Sequence, residues 1–279
     1  MQTIKAKKAF GQNFLVDTTI TTQIIQAMPK DDNLIVEIGP GLGDLTKYLV
    51  QQGPVIAFEV DRELCTHLTT AFKQPLSTKQ LTLRCGDVLE AWSQEGTQKS
   101  LVDAPYNLVA NLPYYIATTI ILRALSDPQC RSLLVMVQKE VADKFSAQAG
   151  DKEFSALAVL TQTVGEAKSV LLVPPSAFNP PPKIDSAVLK ITKHSSLEDE
   201  AFSHFLRIAF AQPRKTLAKN LSQHYPKESV LSILEALHLS QTVRPHETTT
   251  QQFHQLYFQL KGALYGREQQ QQRKQPAQT

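Results

Sequence analysis

The chain has 279 residues, 42% of them apolar and 20% charged, the profile of a globular protein long enough for about two domains. No apolar run approaches the roughly 18 residues of a membrane-spanning helix. The basic start (Lys5, Lys7, Lys8) runs straight into Gly11-Gln12-Asn13, with no apolar signal core behind it. Cys65, Cys85 and Cys130 are scattered without CxxC spacing, which argues against a disulfide framework or zinc cluster and for a reducing, cytoplasmic setting. The seven histidines show no paired-ligand spacing, so no metal site is expected. The net charge of +3 hides an asymmetry. Residues 1–199 hold 19 Lys and Arg against 21 Asp and Glu, whereas residues 200–279 hold 10 against 5. A basic segment beside a near-neutral body points to a polyanion-facing element, weighed against a plain solvated helix face.

In chain order, strands alternate with helices over the first two-thirds. Leu34–Ile38 is a short β-branched run ending in Gly39-Pro-Gly41-Leu-Gly43, and Asp44–Gln52 follows with helical spacing. Val55–Val60 reads as a second buried strand and Arg62–Phe72 as a second helix. Leu81–Arg84 leads to Gly86-Asp87, Leu108–Ala110 to Asn111-Leu-Pro-Tyr114, and Leu133–Val137 to a helix over Gln138–Phe145. Late strands are predicted at Ser169–Val173 and Ala187–Thr192, separated by a proline-rich extended loop, Pro174–Pro182. Near-continuous apolar strands between helices imply an α/β fold with a parallel sheet covered on both faces. After about Lys193 only helical spacing remains, over Ala201–Ala211, Pro213–Gln223, Lys227–Leu239 and Thr249–Leu260, with Pro213 read as a first-turn residue. The division is therefore residues 1–193 as the α/β domain, 194–265 as a small all-helical domain and 266–279 as a Gln-rich, flexible tail.

Three features carry chemistry. The GxGxG loop at Gly39–Gly43 opens a helix after a strand, where glycine lets backbone approach a ligand. Preceded by the acidic Val36-Glu37-Ile38 and holding no Lys or Arg to answer a phosphate, it suits an adenosyl ligand better than a pyrophosphate. Glu59, about 20 residues on, stands where a carboxylate accepts from both ribose hydroxyls, and Asp87 where one accepts from an adenine amine. Asn111-Leu112-Pro113-Tyr114 then offers a side-chain carbonyl, a rigid backbone carbonyl and a flat ring. Two acceptors holding the protons of an aromatic amine localise its lone pair for attack on an electrophilic methyl. Taken singly, each feature also reads as an ordinary turn.

These residues carry a resemblance. Lys8-Ala-Phe-Gly-Gln-Asn-Phe-Leu15, Val36-Glu-Ile-Gly-Pro-Gly41, Asn111–Tyr114, Pro174–Lys183 with Asp185-Ser186, and Phe210-Ala-Gln with Arg214-Lys-Thr-Leu217 resemble, in order, the signatures of the bacterial small-subunit ribosomal RNA adenine dimethyltransferases. The likeness runs from about Lys7 to Leu260. It implies a Rossmann-like domain that binds S-adenosylmethionine through Asn13, Leu15, Gly39, Glu59, Asp87 and Asn111. It also implies a catalytic set of Asn111, Leu112, Pro113, Tyr114 and Phe178, with Asn111 and Pro113 holding the target amine while Tyr114 and Phe178 sandwich a flipped adenine. Arg207, Arg214, Lys215 and Lys219 on the helical domain would dock RNA phosphates. The implied substrate is 16S rRNA in the small ribosomal subunit, methylated on two adjacent adenosines of the 3′-terminal hairpin loop. Nothing apolar and exposed demands a partner, so a monomer is expected. Pro213, where relatives usually carry another Arg, removes one charge from the basic motif. Two other readings share the fold: a large-subunit rRNA adenine methyltransferase of the resistance type, and a ribosome-assembly or transcription factor.

Overall fold

The computed structural model describes Lys7, residues 11–94 and residues 100–273, with side chains through residue 92 in the first stretch and through Lys261 in the last. The chain divides into two compact units. One holds residues through Ser146 together with Val164–Leu197; the other holds Ala147–Thr163 and the chain from Glu198 onward.

The first unit begins with a two-residue strand, β1 (Phe14–Leu15), and helix α1 (Thr18–Ala27). Asp17 caps α1 by accepting from the Thr19 and Ile20 N–H groups, satisfying two donors that have no partner inside a helix. Then come β2 (Leu34–Ile38), α2 (Thr46–Leu49), β3 (Val55–Glu59), α3 (Arg62–Ala71), α4 (Lys73–Ser77), β4 (Leu81–Cys85) and α5 (Val88–Gln94). β5 (Tyr106–Asn111), α6 (Ala117–Ser126), β6 (Cys130–Gln138) and α7 (Lys139–Ser146) complete the alternation. After α8 (Ala156–Val164) the chain returns as β7 (Gly165–Val173), β8 (Phe178–Asn179) and β9 (Ser186–Lys193).

Seven strands form one sheet in the order β4-β3-β2-β5-β6-β9-β7. The five strands β2 to β6 pair parallel, and their buried β-branched and aliphatic runs suit a sheet covered on both faces. β9 runs antiparallel to both its neighbours, β6 and β7, contrary to the all-parallel expectation. The proline-rich connection turns the chain back locally instead of crossing over with a helix, so the two last strands must run against each other. That connection is not wholly extended either. It holds a 3₁₀ turn at Pro175–Ala177, and β8 pairs antiparallel with β1. The chain order reverses between β2 and β5, and a crevice opens there at the carboxyl ends of the strands.

One further expectation is corrected. Cys65 on α3 and Cys85 at the end of β4 form a disulfide, with Cα atoms 6.2 Å apart. A separation of 20 residues is closed by packing of the helix against its strand, which residue spacing does not report. Cys130 is free and buried, and burial pushes its thiol up to about 12.

The second unit contains α9 (Glu200–Ala209), α10 (Leu217–Leu221), α11 (Lys227–Ala236) and α12 (Thr250–Arg273). Its core is aromatic: Phe202 stacks on His254 with centroids 4.3 Å apart and meets Tyr257 edge-on at 5.2 Å. Residues 147–163 belong here and not to the sheet domain. Phe154 packs at 6.2 Å from Phe210, the Gly150 N–H donates to the His246 carbonyl, and Thr250 donates to Gln162. Pro213 precedes its helix instead of opening it, because α10 starts at Leu217 behind a Thr216 cap. α12 continues through Arg273, past the predicted tail boundary; residues 274–279 lie outside the described residues. No helix among the described residues is long and apolar enough to cross a membrane.

Candidate active site

The crevice is built from loops at the carboxyl ends of β2, β3, β4 and β5, roofed by the segment from Gly11 to Leu15. Of the residues expected to bind the cofactor, Asn13, Leu15, Gly39, Glu59, Asp87 and Asn111 all line this one cavity. Leu112, Pro113 and Tyr114 line it as well.

The glycine loop is shaped by necessity. Gly39 and Gly41 adopt φ of 70° and 61°, a left-handed backbone that side chains resist. A Cβ on Gly41 would also stand 3.1 Å from a ring carbon of Phe14. Glu59, at the end of β3 and only 4% exposed, turns its carboxylate onto the loop. One oxygen accepts from the Gly41 N–H at 3.1 Å and the other from the Asp61 N–H at 2.9 Å. Each oxygen keeps a further lone pair for a ligand hydroxyl. Burial raises the Glu59 carboxyl above its ordinary value, although these N–H bonds oppose the shift. Asp87 follows Gly86 at the end of β4 and spends one oxygen capping α5 through the Leu89 N–H at 2.8 Å.

The sequence marks Glu37 only as the acidic flank of the glycine loop, with no role of its own. It is 1% exposed, lines the cavity and accepts from the Thr46 hydroxyl at 2.7 Å. Burial pushes its carboxyl up to about 8, with nearby Glu59 adding to the rise. A buried acid inside an apolar strand was the signal that could have found it. A cramped glycine cradle, backbone N–H groups, the buried Glu59 carboxylate and the buried Glu37 acid beside it fit an adenosine carrying a cationic tail, as S-adenosylmethionine does.

At the end of β5, Asn111 donates its amide NH₂ to the Asn13 carbonyl at 3.0 Å, while the Asn13 amide donates to the Gly11 carbonyl. The Leu112 N–H donates to the Met136 carbonyl at 3.1 Å, which ties the tetrapeptide to β6. Tyr114 is fixed by a 2.7 Å hydrogen bond between its hydroxyl and that of fully buried Ser186. Burial raises the Tyr114 hydroxyl above its usual value, against the Ser186 hydrogen bond.

Phe178 is the departure. It is 3% exposed, packs in the core cluster with Leu15, Ile20, Ile24 and Val173, and is absent from the cavity lining. Opposite Leu15 in the β1–β8 ladder, its side chain takes the inward-facing position while Asn179 takes the exposed one. The exposed ring beside Tyr114 is Tyr115, which also lines the cavity. Arg207, Arg214, Lys215 and Lys219 are positioned on the second unit, and all four are exposed. Among the described residues no group of three His, Cys, Asp or Glu side chains could hold a metal ion.

The chain is similar to known proteins along most of its length. Residues 3–261 match the family model of ribosomal RNA adenine dimethylase. A ribosomal RNA small subunit methyltransferase A from Sulfurimonas denitrificans is 58% identical over 92% of this chain and 94% of its own. The protein of that name from Aliarcobacter butzleri is 48% identical over 94% and 98%. Among solved structures, a dimethyladenosine transferase from Plasmodium falciparum superposes with a TM-score of 0.71 at 25% identity, covering 89% of this chain and 97% of its own. The 23S rRNA methyltransferase ErmE gives 0.67 at 25% identity, covering 89% and 100%. With 259 of its residues spanned by the family model and a glycine cradle, a buried acid and an Asn-Leu-Pro-Tyr strand end gathered in one cavity, the chain belongs to the ribosomal RNA adenine dimethylase family.

Proposed function

We infer that this chain is an S-adenosylmethionine-dependent dimethyltransferase acting on the N6 amines of two adjacent adenosines in the 3′-terminal hairpin loop of 16S rRNA, within the small ribosomal subunit. The observation that carries the reading is Asn111. Its NH₂ is spent on the Asn13 carbonyl, which leaves Oδ1 to accept.

An exocyclic adenine amine is a poor nucleophile because its lone pair is delocalised into the ring. Asn111 Oδ1 and the Pro113 carbonyl would accept its two protons and draw the lone pair out of conjugation. S-adenosylmethionine supplies the electrophilic methyl. Gly39 and Gly41 would admit the cofactor, Glu59 would accept from its ribose hydroxyls, and Asp87 from its adenine amine. Leu15, two residues beyond Asn13, would close the apolar side. Tyr114, held by Ser186, would present its ring face to an adenine that has left the stack. No general base is required, since the amine becomes acidic only once the new bond forms. Arg207, Arg214, Lys215 and Lys219 would hold RNA phosphates, fixing register but not sequence. The reading is completed by a monomer working in the cytoplasm, where ribosomal subunits are assembled.

The test is methyl transfer from labelled S-adenosylmethionine into small subunits lacking the modification, with product nucleosides resolved. Dimethyladenosine at two adjacent loop positions is expected. Label in large-subunit RNA would move the chain to the resistance type, a reading favoured by the likeness to the 23S rRNA enzyme. Cofactor binding without transfer would leave an assembly factor.

A further inference from the structure

The Asn111 amide has two ends of similar size, and only its oxygen serves an amine. Flipped, it would turn two N–H donors toward the incoming N6 protons. Its orientation is set by the Asn13 carbonyl at 3.0 Å. That carbonyl belongs to the strap from Gly11 to Leu15, so whatever holds the strap also orients the acceptor.

The far end of the strap is gripped by a network of its own. Lys7 Nζ lies 2.8 Å from Asp61 Oδ1 and 2.9 Å from Glu63. The Gln12 amide donates to Asp61 Oδ2 at 3.2 Å, and its carbonyl accepts from the Lys7 N–H at 2.7 Å. Asp61 is 3% exposed whereas Lys7 is 38% and Glu63 55% exposed, so the anchor is a charge-assisted bond from a partly exposed lysine to a buried carboxylate, with Glu63 at its solvent edge. Burial alone would raise the Asp61 carboxyl, but Lys7, Gln12 and the Glu63 N–H outweigh it and hold it below its ordinary value. The Asp61 N–H, meanwhile, donates to the Glu59 carboxylate. One residue thus touches both the strap and the carboxylate that faces the cofactor. Between the anchors, Gly11 sits at φ 59° with its α-carbon face turned to the Tyr115 ring, 3.3 Å from where a Cβ would lie.

We propose that Asp61, gripped by Lys7 and Gln12, is a positioning residue: it latches the N-terminal strap over the cavity and so fixes the Asn111 amide with its oxygen toward the target amine. This role rests on the function inferred above.

Asp61 also caps α3 through the Glu63 N–H, so the decisive variants lie on the strap side: Lys7→Met with Gln12→Ala, and Lys7→Arg as the conservative control. Two readouts are taken on each full-length protein, hydrogen exchange of the Gly11–Leu15 amides and steady-state methylation of small subunits. The double variant is expected to exchange those amides at least about tenfold faster and to lose at least about tenfold in kcat, with the KM for subunits within about twofold of the parent. Lys7→Arg is expected to retain both. Unchanged strap exchange, or faster exchange with parental kcat, would overturn the latch. Failure of the parent itself to methylate would overturn the functional reading instead, while strap exchange would still report on the latch.

Discussion

The two units use charge in opposite ways. In the sheet unit the charged groups that matter are buried: Glu59 is 4% and Asp61 3% exposed, each with specific hydrogen-bond partners. In the helical unit Arg207, Arg214, Lys215 and Lys219 are all exposed around an aromatic core. Buried charge is held in one geometry and strengthened by its surroundings, so it suits orientation of reacting groups. Exposed charge is mobile and screened by salt, so it suits attraction of a polyanion without fixing atoms. The contrast matches a division between chemistry and docking, and substitutions on either side sharpen it.

The largest effect is expected from the residue that left the cavity for the core. Phe178→Ala should destabilise the protein by about 3–5 kcal/mol, the range for an emptied aromatic core site, measured by denaturant unfolding. Near-parental stability with lost methylation would return Phe178 to a stacking role. Glu59→Gln comes next. Loss of charge-assisted acceptance should weaken cofactor binding roughly 10–100-fold, read by calorimetry, with RNA affinity unchanged.

Glu37 predicts a pH dependence. Its carboxyl is raised in the fold from 4.5 to about 8, so between those values the native state holds a proton that the unfolded chain has released. Cofactor-free stability should therefore fall as pH rises through this window, by up to about 1.4 kcal/mol per pH unit. Glu37→Gln keeps an acceptor for Thr46 and should flatten that slope in melts from about pH 5 to about pH 9. The smallest effects belong to the helical unit. Replacing Arg214 and Lys215 with alanine should lower the salt slope of RNA binding by about 1 for each phosphate no longer neutralised, and leave kcat at saturating RNA unchanged. A fall in kcat there would blur the division.

What was legible in the sequence was local. Gly39–Gly43 and Asn111–Tyr114 each announce a strand end followed by special backbone chemistry, and β2, β3 and β5 announce themselves by apolar runs. What was not legible depends on distant partners. Asp61 meets Lys7 across 54 residues and Gln12 across 49, and no spacing rule links them. Residues 147–163 read as part of the first unit until Phe154 and Gln162 find the second. Phe178 sits in a signature that the family resemblance ties to stacking, yet strand alternation in a two-residue ladder decides which way its ring points. Cys65 and Cys85 meet because α3 packs beside β4.

The most direct test of the central claim is single-turnover methylation by Asn111→Ala on small subunits lacking the modification, with cofactor and RNA affinities measured on the same preparation. Removal of one preorganised acceptor should slow transfer by about 10²–10³-fold or more, while RNA affinity stays within about twofold, an order-of-magnitude expectation for a residue that makes no phosphate contact. Transfer at the parental rate would contradict the role assigned to Asn111, and with it the reading of the cavity as the place where the amine is held.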